Sequence, residues 1–304
     1  METRFSVAFD PNILTDLQQI WAYQFMQHAF EAGTLVSVVA GVVGYFVVLR
    51  RSTFVAHAFS EIGFAGAAGA LLLGIPAVAG MILGSSIGGT GIAVLSRRSS
   101  HRDVYIGIVL AFALGLGLLF ISLYTGYATE AYSILFGQIL GISEGDVVLT
   151  LALTAAILLG VGLIYRPLLF ASLDEEVAEA KGVPTLLIGI AFLLLVALSV
   201  SIAVQVTGVL LIFSLMVTPA ATAQHLVRTP RNVIIISIAI ALASTWVGLF
   251  VAFYTVYPVS FFITTIVFAL YIVVRVFHRK ILGPGEHRKG WRERMQIFMR
   301  DYYP

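Results

Sequence analysis

Cysteine is absent from the 304 residues. That excludes disulfides, thiolate metal ligands and cysteine nucleophiles together, and leaves any metal chemistry to nitrogen and oxygen donors. Charge is scarce as well. Asp, Glu, Lys and Arg make up 11% of the chain against 59% hydrophobic residues, whereas a soluble domain carries roughly 25% charged residues. The deficit excludes an ordinary soluble fold and points to lipid as the solvent. The formal net charge is only +2 and the basic residues are scattered between apolar blocks, which argues against a nucleic-acid partner. No G-x-x-x-x-G-K-[ST] phosphate loop occurs, since Gly283-Pro284-Gly285 lacks the residues that would complete one; the chain is not expected to hydrolyse ATP itself. H-E-x-x-H and G-x-S-x-G are missing too, so intramembrane hydrolysis is unsupported; no covalently bound cofactor is expected. Met1–Phe30 has no basic stretch ahead of an apolar run, so the first spanning segment is expected to serve as the signal.

What remains is one apolar run after another. About 20 residues cross roughly 30 Å of hydrocarbon, and runs of that kind lie at 29–49, 54–73, 77–95, 104–124, 147–165, 185–205, 208–226, 232–254 and 258–277. The expected fold is all-α, a polytopic transmembrane helix bundle of eight or nine spans. An N-terminal interfacial segment is expected over 1–28, the transmembrane domain over 29–278 and a basic tail over 279–304. Alternate loops carry the cations: Arg50 and Arg51, then Arg97, Arg98 and Arg102, then Arg166 and Lys181, then Arg228 and Arg231, then Arg275, Arg279 and Lys280. Of 18 Lys and Arg, only Arg4 falls on the other side. Cytoplasmic loops hold the cations, so the N-terminus is expected outside and the C-terminus inside a cell membrane.

Two flanking segments read as surface helices. Residues 11–28 set Ile13, Leu14, Leu17, Ile20, Trp21 and Phe25 opposite Asp16, Gln18 and Gln19, which fits a helix in the outer interface or an extension of the first span. In the tail, Trp291, Met295 and Phe298 lie amid Arg292, Arg294 and Arg300, as in an amphipathic helix on an anionic membrane surface. The stretch Ala131–Ile142 is too short to cross and reads as a re-entrant or surface helix.

The most informative local feature is Val55-Ala56-His57-Ala58-Phe59-Ser60-Glu61 at the start of the second run. His57 and Glu61 are four apart and share one helix face with Ser60 beside them. A carboxylate inside a membrane costs about 2.5–3.5 kcal/mol on insertion scales, so it faces a partner, a cavity or an ion. Either the two form a metal or proton site, or they satisfy each other as a hydrogen-bonded pair. An imidazole and a carboxylate suit zinc, manganese, iron(II), cobalt or nickel. Two such chains around a twofold axis would bring two of each together, enough for a four-coordinate ion.

Two further segments carry chemistry. Asp174, Glu175, Glu176 and Glu179 read as a short acidic helix closed by Gly182 and Pro184, either a solvated connector or a docking helix for a soluble partner. Thr218-Pro219-Ala220-Ala221-Thr222-Ala223 places a proline in a helix with small neighbours. Close packing explains it; so does a broken helix lining a transport path, with Thr218 polar at the break.

These blocks together resemble the metal-uptake family of ATP-binding-cassette importer permeases, the zinc, manganese and iron transporters. The resemblance covers about 25–277. It rests on Gly44-Tyr45-Phe46-Val47-Val48-Leu49-Arg50-Arg51, on Ala58-Phe59-Ser60 with Gly66, and on Leu135-Phe136-Gly137-Gln138-Ile139-Leu140. It continues through Arg166-Pro167-Leu168-Leu169, Asp174-Glu175-Glu176 and Val209-Leu210-Leu211 to Pro219-Ala220-Ala221-Thr222-Ala223. In that family the second span resembles D-A-L-S-H-A-x-L-P-G, whose Asp and His contact the metal. Here His57 stands at the Asp position, Glu61 at the His position and Ala65 at the Pro position, so the two donors have changed places.

The resemblance implies an importer permease moving a divalent metal ion as substrate, without an ATPase of its own. It implies a second permease copy, identical or not, a cytoplasmic ATP-binding subunit docked on Asp174–Gly182, and an external metal-binding protein. His57 and Glu61 would contact the ion, with Ser60, Thr218 and Pro219 as pore-lining candidates. A metal chelate as cargo, and a proton-coupled secondary transporter with Glu61 as carrier, stay open; an intramembrane metalloenzyme would need a third ligand.

Overall fold

The computed structural model describes residues 21–95, 102–125, 137, 139–255 and 257–282. Among them every regular element is a helix. In chain order these are α1 (Gln24–Leu49), α2 (Thr53–Leu72), α3 (Ala77–Leu95), α4 (Arg102–Leu123), α5 (Glu144–Leu173), α6 (Glu175–Ala180), α7 (Thr185–Thr207), α8 (Val209–Leu226), α9 (Pro230–Phe253) and α10 (Val259–Leu282). Seven of them, α1, α2, α4, α5, α7, α9 and α10, are long and apolar enough to cross a membrane, while the apolar parts of α3 and α8, Ala77–Ile92 and Leu211–Leu226, are shorter. The nine runs expected from hydropathy coincide with the nine longer helices. Residues 11–20, most of 131–142 and the tail beyond Leu282 lie outside the described residues.

Two boundaries differ from expectation. The first helix begins at Gln24, ahead of the expected start of the first apolar run at 29. The fifth run, expected to end at 165 before Arg166-Pro167, continues as helix to Leu173. Pro167 removes one donor from the ladder. Burial of Leu168, Leu169, Phe170 and Ala171 just beyond it outweighs that local loss. The start of α5 is capped: the Ser143 hydroxyl accepts from the Asp146 N–H, and the Asp146 carboxylate accepts from the Ser143 N–H in return, a capping box that satisfies two orphan donors.

Lipid tails give helices no hydrophobic reason to associate, so close backbone approach and interhelical hydrogen bonds must do it. The α2–α3 pair shows the first. A Cβ on Gly66 would collide with the Gly80 carbonyl and one on Gly80 with the Gly66 carbonyl, while Gly84 sits where its Cβ would be 3.1 Å from the Gly66 Cα. The Ser85 hydroxyl then donates to the Phe59 carbonyl at 3.1 Å. Helix α4 covers the other side of α2, with Gly117 against Phe64 and Gly69 against Phe120. Helix α1 is held to α9 by Ser37–Thr245 hydroxyls at 2.9 Å and by the Trp246 indole N–H donating to Thr34 at 2.9 Å, and its Gly44 abuts the Met216 carbonyl of α8. The outward faces of α4, α5 and α10 expose Phe112, Leu163 and Phe268, the surface a lipid-facing helix presents.

At the end of the bundle away from the arginine clusters, Gln205 of α7 donates to Asp146 of α5 at 2.9 Å and a ring nitrogen of His28 meets the Ile142 carbonyl at 3.1 Å. A cavity of about 500 Å³ opens there between Gly137, Leu140, Thr207, Leu211, Pro258 and Ser260. The α7–α8 turn beside it rests on Gly208, whose φ of +83° and ψ of 161° are reachable by glycine alone.

Leucine at Gly80 should overpack the α2–α3 contact and destabilise the protein by at least the roughly 1–3 kcal/mol typical of such insertions, whereas leucine at Gly91, which faces open space, should not. Thermal midpoints of the two variants in detergent, read by size-exclusion chromatography, check this; equal midpoints would contradict the packing described.

Candidate functional site

Helix α2 starts immediately after a tight turn. Arg51 adopts φ of +55°, with its N–H bonded to the Val48 carbonyl at 3.1 Å and the Ser52 N–H to the Val47 carbonyl at 2.8 Å. This is the helix-ending motif usually built on glycine. Here an arginine occupies the left-handed position, at a backbone cost of order 1 kcal/mol. The turn sends the chain back into the bundle, and His57 and Glu61 follow within the first turns of α2.

Glu61 is 8% exposed and His57 half-buried. Glu61 Oε2 and His57 Nδ1 are both buried, and neither has a hydrogen-bond partner among the described residues. The pair therefore does not satisfy itself through these atoms. A buried acceptor without a partner costs about 1–3 kcal/mol, and more when charged, so such atoms ask for something to bind. The sequence spacing did not foretell one neighbour: the Phe213 ring of α8 lies edge-on to the imidazole, 5.3 Å between centroids. Phe213 is one aromatic in an apolar run, and no local signal singles it out.

Ser60, between the two donors in sequence, is wholly buried and its hydroxyl donates to the His57 carbonyl at 2.7 Å. It fixes the α2 backbone at the histidine. Thr218 is half-buried and Pro219 buried in α8. Pro219 has no N–H for the Leu215 carbonyl, and Thr222 returns its hydroxyl to the Thr218 carbonyl at 2.7 Å, a back-bond that bends helices. No group of three or more His, Asp or Glu side chains able to hold a metal occurs among the described residues. One chain thus offers the His57 and Glu61 donors and no third ligand of those types beside them.

The acidic segment forms a separate surface at the arginine-rich end. Asp174 caps α6 by accepting from the Val177 N–H at 3.0 Å, and Gly182 at φ +82° closes it. Ala178 is wholly buried against Phe170, Ala171 and Val183, whereas Asp174, Glu175, Glu176 and Glu179 are exposed. A six-residue helix is thereby fastened by one face to the end of α5, with its carboxylates turned outward.

Known proteins share this architecture and sequence. The family described as the ABC 3 transport family matches residues 22–278. The chain is 30% identical over 250 residues to the manganese transport system membrane protein MntC of Halalkalibacterium halodurans, covering 82% of this chain and 85% of that one. It is 29% identical over 239 residues to the chelated iron transport system membrane protein YfeC of Yersinia pestis, covering 78% and 81%. Among solved structures, PsaBC from Streptococcus pneumoniae in complex with Fab superposes with a TM-score of 0.79 at 28% identity, over 86% of this chain and 95% of that chain. A metal-chelate type ABC transporter in an inward-facing conformation shares the fold at 15% identity and a TM-score of 0.70. With nearly the whole helical bundle matched, the chain belongs to the ABC 3 transport family.

Proposed function

We propose that the chain is the membrane-spanning subunit of an ATP-driven importer that carries a divalent metal ion, manganese, iron(II) or zinc, into the cytoplasm. The single observation that carries this is the pair of unpartnered buried atoms, Glu61 Oε2 and His57 Nδ1, on one face of α2. A nitrogen and a carboxylate oxygen suit a divalent transition ion, and an incomplete ligand set suits transport, because a fully coordinated ion would not leave. A second copy facing the first about a twofold axis would bring two imidazoles and two carboxylates to one layer. The names of the relatives, manganese for MntC and chelated iron for YfeC, favour manganese or iron; the latter keeps a chelate open as cargo.

In this reading all nine longer helices cross the bilayer, with the N-terminus outside and the C-terminus in the cytoplasm, as the arginine distribution favours. The exposed carboxylates of Asp174, Glu175 and Glu176, on the helix that Gly182 closes, receive a cytoplasmic ATP-binding subunit. The opposite end, with its cavity beside Gly208, receives an external metal-binding protein. ATP-driven closure pushes the acidic helix, the two permease copies rock, and the ion passes the His57/Glu61 layer with Thr218 and Pro219 at the bend of α8.

Alanine at His57 or Glu61 should cut metal accumulation by more than the roughly 10–100-fold that loss of a ligand's supporting partner costs, while the ATP-binding subunit still co-purifies. Uptake of manganese(II), iron(II) and zinc(II), offered singly to the reconstituted complex, tests this; unchanged accumulation of all three in both variants would remove the pore assignment. Reversing Glu175 and Glu176 to lysine should leave the permease within about 0.5 kcal/mol of its stability, as at exposed sites generally, yet weaken co-purification of the ATP-binding subunit. Undiminished binding would detach the acidic helix from docking.

A further inference from the structure

Helices α1 and α2 are consecutive but barely touch along their lengths. α2 packs chiefly on α3 and α4, and α1 on α9, α8, α5 and α7. The three residues Arg50–Ser52 are one covalent joint between these two groups of helices, which also meet where α7 packs on α3 and α2. The Arg50 side chain reaches from that joint back onto α5 and α7, helices of the α1 group. Its Nη1 donates to the Ser172 hydroxyl at 3.4 Å, its guanidinium lies 5.7 Å from the centre of the Phe192 ring, and its Nη2 is 3.9 Å from where a Cβ on Gly189 would stand. One side chain thus bridges the end of α1, the end of α5 and the first half of α7.

Both sides of this bridge are stiff. Ser172 is two residues before Asp174, the cap of α6, and its own hydroxyl donates to the Leu168 carbonyl. Helix α6 is locked to the same stretch through Ala178 on Phe170 and Ala171, so a push on α6 displaces the end of α5 with it. On the other side, Arg51 at φ +55° and the two turn hydrogen bonds hold the joint in one conformation, and the Ala56 N–H takes up the helix at the Ser52 carbonyl. His57 and Glu61 come next. A planar guanidinium that donates to a hydroxyl and lies over a ring is held in one orientation in a way a lysine ammonium is not.

We propose that Arg50 is the positioning residue that transmits movement of the acidic helix α6 to the His57/Glu61 face of α2. The proposal rests on reading the chain as an ATP-driven permease. Coupling carried by a side chain that ties the anchor of α6 on α5 to the joint ahead of α2 is a free energy whose loss separates hydrolysis from transport without abolishing either partner's fold.

The test uses the complete complex, this permease with its ATP-binding subunit and metal-binding protein, in vesicles of phosphatidylethanolamine and phosphatidylglycerol. Manganese(II), iron(II) and zinc(II) are offered singly, and ions moved per ATP hydrolysed are counted. Arg50→Gln should assemble, melt and hydrolyse ATP at the basal rate like the parent, yet move roughly fivefold fewer ions per ATP or worse. An unchanged ratio overturns the proposal. Should Arg50→Gln fail to assemble, Arg50→Lys decides, because it keeps the charge but loses the flat face over Phe192: a lowered ratio supports the bridge, a normal one removes it. If both variants lose assembly or basal hydrolysis in proportion to uptake, Arg50 is only a folding anchor and the proposal falls. Failure of the parent reading shows differently, as a wild-type complex that hydrolyses ATP and moves none of the three ions, and it takes the bridge down with it.

Discussion

One buried carboxylate constrains everything around it. Glu61 sits in a helix whose other buried residues are apolar or small, in a bundle that must lie in hydrocarbon, and one of its oxygens has no hydrogen-bond partner among the described residues. A membrane protein tolerates such a group only when a cavity, a partner or an ion answers it. The His57 nitrogen one helical turn away has the same deficiency. Two deficiencies of complementary chemistry on one face are more economically explained by a shared visitor than by two separate defects. No third suitable donor lies beside them among the described residues, and on the proposed reading that incomplete set lets the ion leave.

Helices α3 and α4 hold α2 on two sides, and α2 is joined to the surface at one end. Gly66, Gly80 and Gly84 let α3 lie directly against α2, Gly117 and Gly69 admit α4, and Ser60 ties its hydroxyl to the histidine's own carbonyl. From α8 comes the edge of Phe213, on a helix with Pro219 inside it. On the proposed reading, α2 keeps the geometry of its two donors while α8, with Pro219 inside it, forms the wall that moves. At the arginine-rich end, the short turn to α1 and the Arg50 side chain connect this face to the acidic helix on the surface.

Much of this was legible in the sequence, for physical reasons. Spans are set by the thickness of hydrocarbon and by the cost of burying arginine, so the nine runs from 29 to 277 fall on helices, with the fifth extended to Leu173. His57 and Glu61 were legible because charge is rare here and their spacing is that of one helix face. The acidic helix announced itself by Asp174, Gly182 and Pro184, whose capping roles are local. What the chain does not advertise is whatever depends on tertiary packing. The helix past Arg166-Pro167 persists because Leu168 to Ala171 are buried by other elements. Phe213 against His57, and Arg50 between Ser172 and Phe192, join residues over a hundred positions apart. No periodicity reports such contacts.

The central claim is that Glu61 and His57 are ligands waiting for a cation. Anomalous X-ray scattering at the manganese edge, from the two-copy complex trapped with manganese(II), tests it most directly. The account predicts a peak with imidazole nitrogen and carboxylate oxygen about 2.0–2.3 Å away, from His57 and Glu61 of both copies. A peak elsewhere in the conduit with these side chains turned to lipid or packed against each other would contradict it.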